Sequence, residues 1–567
     1  MTDSADNKPS KLLFWGCFIA LITTSFGFIT RMFLLDDPAI TETLLGLDPA
    51  EVGKFKGIQI WPFAISIILF SLIIDKVGYK FSMIFAGVCQ IIWAIMGIAG
   101  LTMAQNGNVD GGASMLYWGG LILALGNGTV EAFINPVVAT MFTKDKTKWL
   151  NILHAGWPGG LVIAGIIVIV MGPDTSWQVK LGIIMVPAVI YILMLMRENF
   201  PVQERVASGV SYKDMLSEFG VFGAAVVAVL IYLQLDTEFP GNETLFLVLC
   251  IGFVAFFGVY TKHLGRGLMG ILILIMIPLA TTEIGTDGWI SGIMAEAVTF
   301  HAGWILVYTS VIMMGLRFLA GPIVHALNPL PLLILSSVLA IAGLAALAGS
   351  GTAGVGMIFV AATLYALGKT FFWPTMLGIV SEQTPKGGAL TLNAVSGIGM
   401  LAVGVLGFPL IGAIQANKEI SEVAKTATPG LVENGEVATD AKEGKSIYSI
   451  INYEVLSDTA VDEKLADADD AAKEAVAAAR KGSAPKALGN MTVFPLSMLI
   501  AYIGIYMYFR SRGGYKPIEL DGSDESPAPD GDDGSPASGG LAESPAPSGD
   551  DESSAPDGDD ETPSSNG

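Results

Sequence analysis

Long apolar runs separated by short polar turns make up most of this chain. A bilayer-spanning helix needs about 20 mostly apolar residues, and fourteen runs approach or exceed that length. They are 12–34, 57–74, 81–104, 115–142, 150–172, 179–197, 219–235, 244–262, 268–287, 303–324, 330–349, 354–380, 389–416 and 492–510. The first run is too long for the core of a signal peptide, so we expect it to be retained. The pattern predicts an all-α polytopic membrane protein.

One apolar run is interrupted by polar residues near its middle. The stretch "GNGTVEAFINP" (126–136) places Asn127, Glu131 and Asn135 four residues apart, so a helix puts them on one face. A charge at the bilayer centre costs about 2.5–3.5 kcal/mol on insertion scales, and intramembrane acids usually mark ion or substrate pathways. We therefore predict that Glu131 carries a proton and that the two asparagines contact a solute. The alternative is an acid held by hydrogen bonds for packing alone.

The chain also repeats itself. "ALG" and a later "LN" occur in the first half and recur 242 residues further on. The offset pairs Asn151 with Asn393 and Asn127 with Lys369. Corresponding helices of two duplicated bundles give this kind of repeat. We predict two pseudo-symmetric six-helix bundles with two extra helices between them.

Two local motifs support that arrangement. "DKVGYK" follows the second predicted helix and contains Asp75, Lys76 and Gly78, while "GLRFLAGPIVHALNP" contains Arg317 and His325. The first motif resembles the D-R-x-G-R-K loop of the major facilitator superfamily. The second resembles the degenerate copy of that loop, with His325 where the superfamily usually has an acid. The resemblance implies twelve core helices, and it implies that these loop residues influence conformational switching without touching the solute. A simple positively charged turn is the alternative for Asp75 and Lys76.

A narrower resemblance concerns the fourth helix. "GNGTVEAFINPVV" resembles the G-x-G-x-x-E-x-x-x-N-P stretch of the fucose and glucose/galactose proton symporters. The resemblance implies that Glu131 takes part in sugar and proton handling, with Asn135 and Pro136 also matched. That family has an aspartate on its first helix, whereas the first helix here has no acid and offers Arg31.

Other candidates lie on helices that line the central cavity in that fold. Lys369, on the tenth helix, has Tyr365 and Trp373 one turn to either side. It could pair with Glu131, since attraction between unit charges at 4 Å is worth about 4 kcal/mol at an effective dielectric of 20. The alternative is a lysine that extends to the membrane surface.

Further residues complete the predicted site. Glu283 lies about three turns into the seventh helix, and Asp287 is expected to cap its outer end. His154 follows Asn151 on the fifth helix, where it could relay protons or form a structural polar contact. Arg317 is expected at a helix end.

These residues predict a secondary active transporter that moves a small polar solute, sugar-like or nucleoside-like, together with a proton. An organic-anion transporter is an alternative because Arg31 and Lys369 are basic. A membrane sensor that binds solute without moving it is an alternative of another class. No nucleotide loop, catalytic triad or metal spacing is visible. We expect no enzyme activity, cofactor, metal or nucleic-acid partner, and a monomer in the bilayer.

The net charge of −21 is local. The tail after Lys516 has fifteen acidic and no basic residues, and 415–491 has fourteen acidic and nine basic ones. These segments hold nearly all the excess charge, so it says nothing about the solute. The Pro/Ser/Gly/Asp composition of the tail predicts disorder. The Ala-rich run within 417–491 predicts a helical lid, with a passive linker as the alternative.

The distribution of lysine and arginine predicts that both termini are cytoplasmic. We expect the protein in a plasma membrane or a bacterial inner membrane. The predicted segments are an N-terminal six-helix bundle at 1–200, a linker with two extra transmembrane helices at 201–266, C-terminal bundle helices 7–11 at 267–416, an extracytoplasmic loop at 417–491, helix 12 at 492–515 and a disordered acidic cytoplasmic tail at 516–567.

Overall fold

The computed structural model describes residues 10–520 except 48, 289, 291–300, 302, 351–353 and 449. Within these ranges, thirteen helices are long and apolar enough to cross a membrane, and a helix pair bent by 67° makes a fourteenth candidate. Each corresponds to one of the predicted runs, so the all-α multi-pass prediction is confirmed. Of the acidic tail predicted to be disordered at 516–567, residues 521–567 lie outside the described residues.

The first part of the chain forms the N-terminal bundle. Its elements are α1 (Lys11–Leu35), a π-helical turn (Ala39–Leu44), α2 (Pro49–Gly57), α3 (Trp61–Val77), α4 (Tyr79–Gln105), α5 (Val109–Met141), α6 (Lys146–Leu153), α7 (Gly156–Met171), α8 (Trp177–Gly182) and α9 (Met185–Met196). The prominent packing pairs are α4 with α5, α3 with α5, and α1 with α7. Small residues allow these close approaches, as at Gly128, where an added Cβ would lie 2.2 Å from the Phe63 carbonyl oxygen.

A short helix, α10 (Glu204–Ala207), leads to the two linker helices, α11 (Tyr212–Glu238) and α12 (Glu243–Thr261). They pack against each other, and α11 also packs on the C-terminal bundle. The Tyr117 hydroxyl of α5 donates to Glu238 Oε1 at 2.5 Å. The two extra helices therefore lie between the bundles in sequence, and α11 contacts both bundles.

The C-terminal bundle includes several broken helices. Its elements are α13 (Gly267–Ala280), a π-helical turn (Thr281–Gly285), α14 (Gly303–Phe318), α15 (Ala320–Leu327), α16 (Pro329–Ser350), α17 (Val355–Lys369), α18 (Phe372–Gln383), a 3₁₀ turn (Pro385–Gly387), α19 (Gly388–Ala402), a π-helical turn (Val403–Gly407) and α20 (Phe408–Ala424). The last helix, α23 (Val493–Ser511), packs on α16 and α13.

The 417–491 segment, called the lid, is folded. After α20 it contains β1 (Val432–Glu433), β2 (Glu436–Val437), a 3₁₀ turn (Thr439–Ala441), β3 (Lys442–Ile447), β4 (Ile451–Leu456), α21 (Asp458–Leu465) and α22 (Asp470–Asn490). Two antiparallel hairpins pair β1 with β2 and β3 with β4. A small core that includes Leu431, Val437 and Val461 is buried beneath them. The helical run was predicted from the sequence, whereas the hairpins were not.

The membrane part has two opposite faces. The terminal face carries Ser10 and residues 515–520, and the lid face carries the lid. At the terminal face, Ser10 Oγ donates to Glu198 Oε2 at 2.6 Å. The Ile518 N–H there donates to the Glu382 carbonyl at 2.8 Å. Ile518 therefore contacts the C-terminal bundle, although the sequence assigned it to the disordered tail. The cytoplasmic orientation of the terminal face stays a prediction.

Candidate functional site

The polar face of α5 contributes to two separate hydrogen-bond chains. Asn135 Nδ2 donates to Glu131 Oε2 at 2.8 Å, and Asn135 Oδ1 lies 2.9 Å from His154 Nε2. All three side chains are at most 5% exposed. Asn127 instead accepts from Gln90 Nε2 at 2.9 Å. The four-residue spacing thus brings Glu131 and Asn135 together with His154, and it directs Asn127 towards α4.

A buried arginine joins the two bundles beside this chain. Arg317 Nη2 donates to Glu283 Oε1 at 2.7 Å, and Nη1 donates to the His154 carbonyl at 2.8 Å. Its Nε donates to the Thr370 carbonyl at 2.7 Å. Glu283 Oε2 also accepts from the Trp373 N–H at 3.0 Å. The guanidinium therefore binds the N-terminal bundle through His154 and the C-terminal bundle through Glu283 and Thr370.

Arg317 lies in the last turn of α14, at a helix end as expected, but it is buried between the bundles. The side chain is 1% exposed. It lies just before the 67° bend between α14 and α15, and the eight residues of α15 add about 12 Å beyond the bend. The sequence does not reveal that the helix bends there instead of ending.

The predicted pairing of Lys369 with Glu131 is wrong. Lys369 Nζ contacts Asp287 Oδ1 within the C-terminal bundle and lies 5.2 Å from the centre of the Tyr365 ring. Asp287 is 8% exposed and pairs with the lysine, so it does not serve as an outer helix cap. The cation that interacts electrostatically with Glu131 is Arg317. The sequence repeat aligns Lys369 with Asn127 on the polar face of α5. It does not indicate which acid, Glu131, Glu283 or Asp287, the lysine contacts.

Asn151 and Asn393, matched by the repeat, make reciprocal contacts across the bundle interface. Asn151 Nδ2 lies 3.2 Å from Thr375 Oγ1 on α18, and Asn393 Nδ2 donates to the Ala132 carbonyl on α5 at 2.8 Å. Ala132 precedes Pro136 by four residues. Because proline has no N–H, it leaves this carbonyl without its helical donor, and Asn393 supplies one from the other bundle.

Several predicted residues lie outside this central cluster. Arg31 Nη1 and Nη2 donate to the carbonyls of Phe55 and Lys56, so its contacts are with the backbone around α2. Tyr365 donates to the Thr282 carbonyl at 2.5 Å, which joins the tenth helix to the seventh.

The motif residues of the second loop lie at the terminal face. Asp75 Oδ2 pairs with Arg205 Nη2, and Lys76 lies over the ring of Tyr212 at 5.2 Å. Gly78 separates α3 from α4 with φ +87°, a conformation that favours glycine. The role of these residues in conformational switching stays a prediction.

Two functional candidates were not predicted from the sequence. Gln90 lies inside an apolar run, accepts from the Tyr191 hydroxyl at 3.0 Å and contacts Asn127. A glutamine in such a run is a signal that could have been found. Glu382 on α18 is harder to identify from the sequence, because it lies just after the end of an apolar run, where a polar residue is expected. Its Oε1 accepts from Thr147 Oγ1 at 2.5 Å and from the Thr147 N–H at 3.2 Å.

No group of three His, Cys, Asp or Glu side chains in the described ranges is arranged to hold a metal ion. The described chemistry of the interface is one of hydrogen bonds and ion pairs. Glu131, Glu283 and Arg317 are all buried in it. Such a set can bind a proton and can donate or accept hydrogen bonds.

Comparison with solved structures gives the same architecture. The proton:xylose symporter XylE bound to 6-bromo-6-deoxy-D-glucose is 13% identical, with a TM-score of 0.54 over 88% of this chain and 96% of that one. FucP in its outward conformation is 14% identical, with a TM-score of 0.51 over 86% and 98%. An auto-inhibited POT family peptide transporter is 13% identical, with a TM-score of 0.52 over 91% and 99%. At these identities the likeness concerns the fold alone.

No curated protein sequence matches the chain significantly. The family profile described as Major Facilitator Superfamily matches residues 12–409, which is well over half of the chain. The match covers the N-terminal bundle, the linker helices and the C-terminal bundle up to the start of α20. With the helical architecture and the similar solved folds, it establishes the family. The chain belongs to the Major Facilitator Superfamily.

Proposed function

We propose that the protein is a proton-coupled transporter of a small neutral polar solute, sugar-like or nucleoside-like, which works by alternating access. The observation that carries the proposal is the buried chain Glu131–Asn135–His154, whose last member binds Arg317 through its backbone carbonyl. This chain lies where the two bundles meet. A change in the protonation of Glu131 would therefore act on the contact that joins them.

The charge balance supports a role for one proton. Among the described residues, the ionisable groups that interact around Arg317 include the carboxyls of Glu131, Glu283 and Asp287 and one further cation, Lys369. With all five ionised the set carries one net negative charge, and one bound proton makes it neutral. Burying an uncompensated charge is costly. The arrangement of the bundles that buries these five groups is therefore favoured when the groups together hold one proton.

Unused hydrogen-bond acceptors support a hydroxyl-bearing solute. In the described part of the chain, Asn151 Oδ1, Asn393 Oδ1 and Ser396 Oγ are buried without a hydrogen-bond partner. Unpaired buried acceptors are costly, and a solute hydroxyl could satisfy them. The xylose symporter of similar fold carries a substrate of this kind. The peptide transporter has a comparable fold, so the fold by itself does not select the solute.

Contacts at the terminal face hold the two bundles together on one side of the membrane part. Thr147 on α6 donates to Glu382 on α18, and Lys146 Nζ lies 3.4 Å from the Ser381 carbonyl. These contacts join the N-terminal bundle to the C-terminal bundle. With the orientation predicted from the basic residues, they hold the cytoplasmic side closed, and inward opening must break them.

The organic-anion alternative has less support. It rested on two basic side chains, and Arg31 contacts backbone carbonyls while Lys369 pairs with Asp287. Neither is a free cation for a carboxylate. A solute sensor remains the rival of another class, and it is distinguished by whether solute crosses the membrane.

The experiment uses full-length protein in proteoliposomes, with a panel of labelled sugars, nucleosides and carboxylates. We expect accumulation of a neutral solute when a proton gradient is imposed, and counterflow of the same solute without a gradient. Binding without counterflow would support the sensor, and uptake confined to carboxylates would support the anion transporter. Glu131→Gln should keep counterflow but lose proton-driven accumulation, and Glu433→Gln, at an exposed lid position, is its matched control.

A further inference from the structure

The β3–β4 hairpin of the lid ends in an unusual tip. Tight hairpin turns favour glycine, asparagine and aspartate, but the tip here reads "IYSII" over 447–451. The last strand pair is Ile447 with Ile451. Ile450 is 73% exposed and Ile451 is 41% exposed. Two large apolar side chains are therefore uncovered at the end of a hairpin whose first strand, Lys442–Ile447, is mostly polar.

Tyr448 fixes the tip at a definite level of the membrane part. Its hydroxyl donates to the Val405 carbonyl at 2.8 Å, in the π-helical turn between α19 and α20. The same side chain interacts with Thr237, near the end of linker helix α11. Burial between these helices raises the pKa of Tyr448 to about 12. The tip thus contacts two membrane-spanning segments.

Helix geometry gives the height of this contact. Val405 lies seventeen residues after Gly388, the first residue of α19. At 1.5 Å per residue the carbonyl is about 26 Å from the start of α19 at the terminal face. The hydrocarbon core of a bilayer is about 30 Å thick. Val405 therefore lies close to the boundary between acyl chains and headgroups on the lid face.

A second helix gives a consistent height. The Ile60 side chain packs against Gly404, where an added Cβ would lie 2.9 Å from Ile60 Cγ2. Ile60 precedes Asp75, which pairs with Arg205 at the terminal face, by fifteen residues. This separation corresponds to about 22 Å of helix. Two independent segments therefore place the hairpin tip at the outer edge of the hydrocarbon.

We propose that the tip of the β3–β4 hairpin is a lipid anchor, which inserts Ile450 and Ile451 at the headgroup–acyl boundary of the leaflet on the lid face. Aromatic side chains such as Tyr448 are enriched at that level. Apolar groups of interfacial segments are buried there to a depth of about 5–10 Å. The charged stem residues, including Lys445 and Glu454, stay on the aqueous side. The anchor would hold the lid at a fixed height beside α20 and α11.

The direct test measures the environment of residue 450 in the full chain. Ile450→Cys is made in a Cys250→Ser background, because Cys17 and Cys89 are buried, and is spin-labelled in phosphatidylcholine vesicles. Lys445→Cys, an exposed stem position on the same hairpin, is the matched control. We expect the label at 450 to be more accessible to oxygen than to a water-soluble nickel complex, with the reverse order at 445.

Other outcomes would overturn the proposal. A preference for the nickel complex at 450 would place the tip in water. Low accessibility to both reagents, with dipolar broadening between labels, would indicate a second copy of the chain as the occupant. The unmodified protein gives an independent reading that does not depend on the folding of a variant. A lipid-soluble carbene precursor should label the 447–451 peptide, and absence of that labelling would contradict the anchor.

Discussion

Arg317 donates from Nη2 to Glu283 Oε1 at 2.7 Å, and both side chains are almost fully buried. The same guanidinium holds the His154 carbonyl of the other bundle. Because arginine offers five donors in a planar fork, one side chain can bind an acid and two carbonyls at once. The relationship makes Arg317 the joint between the bundles, a role that the sequence did not suggest.

The first prediction concerns this joint. Arg317→Gln leaves Glu283 buried without its cation, so we expect the free energy of unfolding to fall by about 3–5 kcal/mol. Arg317→Lys keeps the charge but cannot make all three bonds, and we expect it to lose transport with a smaller loss of stability. Chemical denaturation in detergent and counterflow in proteoliposomes measure the two effects. Recovery of stability when Glu283→Gln is added to Arg317→Gln is the expected control. No recovery would argue against the pair.

The second prediction separates the two possible partners of Lys369. Lys369→Met leaves an acid unpaired and should destabilise the protein by about 3–5 kcal/mol. If the partner is Asp287, Asp287→Asn should restore part of that loss, and Glu131→Gln should not. Thermal unfolding of the three variants in the same detergent tests this. Rescue by Glu131→Gln would restore the pairing expected from the sequence.

The third prediction concerns the carbonyl that Pro136 leaves free. Asn393→Leu removes the donor to the Ala132 carbonyl and should cost about 1–3 kcal/mol for an unsatisfied buried acceptor. Pro136→Ala returns a helical N–H to that carbonyl, so the asparagine should matter less in its presence. A double-mutant cycle on unfolding free energies should give a coupling of about 1 kcal/mol. Strict additivity would show that the two residues act independently.

The fourth prediction defines where the dispensable tail begins. The Tyr515 hydroxyl donates to Glu382 Oε2 at 2.7 Å, and Gln383 Nε2 donates to the Lys516 carbonyl at 2.7 Å. Truncation after Leu520 keeps these contacts and should leave transport unchanged. Truncation after Gly514 removes the contacts of Tyr515 and Lys516. Because Glu382, which accepts from Thr147, then loses the Tyr515 hydroxyl, we expect the transport rate to change. Initial rates in proteoliposomes compare the two truncations, and equal rates would show that residues 515–520 have no mechanistic role.

Much of the fold could be predicted from the sequence because lipid imposes a simple rule on it. Each span must be a long apolar helix, so the fourteen runs were visible, and the repeat indicated which of them correspond. Glu131, Asn135 and His154 were also visible, since polar groups stand out in apolar runs. The pairing of charges was not visible. It depends on the bend after Phe318 and on the π-helical turn at Thr281–Gly285, which shift residues by a fraction of a turn. The lid hairpins were missed because their strands are only two to six residues long.

In the proposed mechanism, Glu131 exchanges the transported proton. Glu131→Gln keeps the shape of the side chain and its hydrogen-bonding capacity but cannot lose a proton. The most direct measurement is solute accumulation by reconstituted Glu131→Gln protein under an imposed proton gradient, with wild type and Glu433→Gln measured alongside and counterflow recorded for all three. We predict that the variant retains counterflow but no longer concentrates solute, while both reference proteins do. Proton-driven accumulation by Glu131→Gln at the wild-type level would contradict the account and assign the glutamate a structural role.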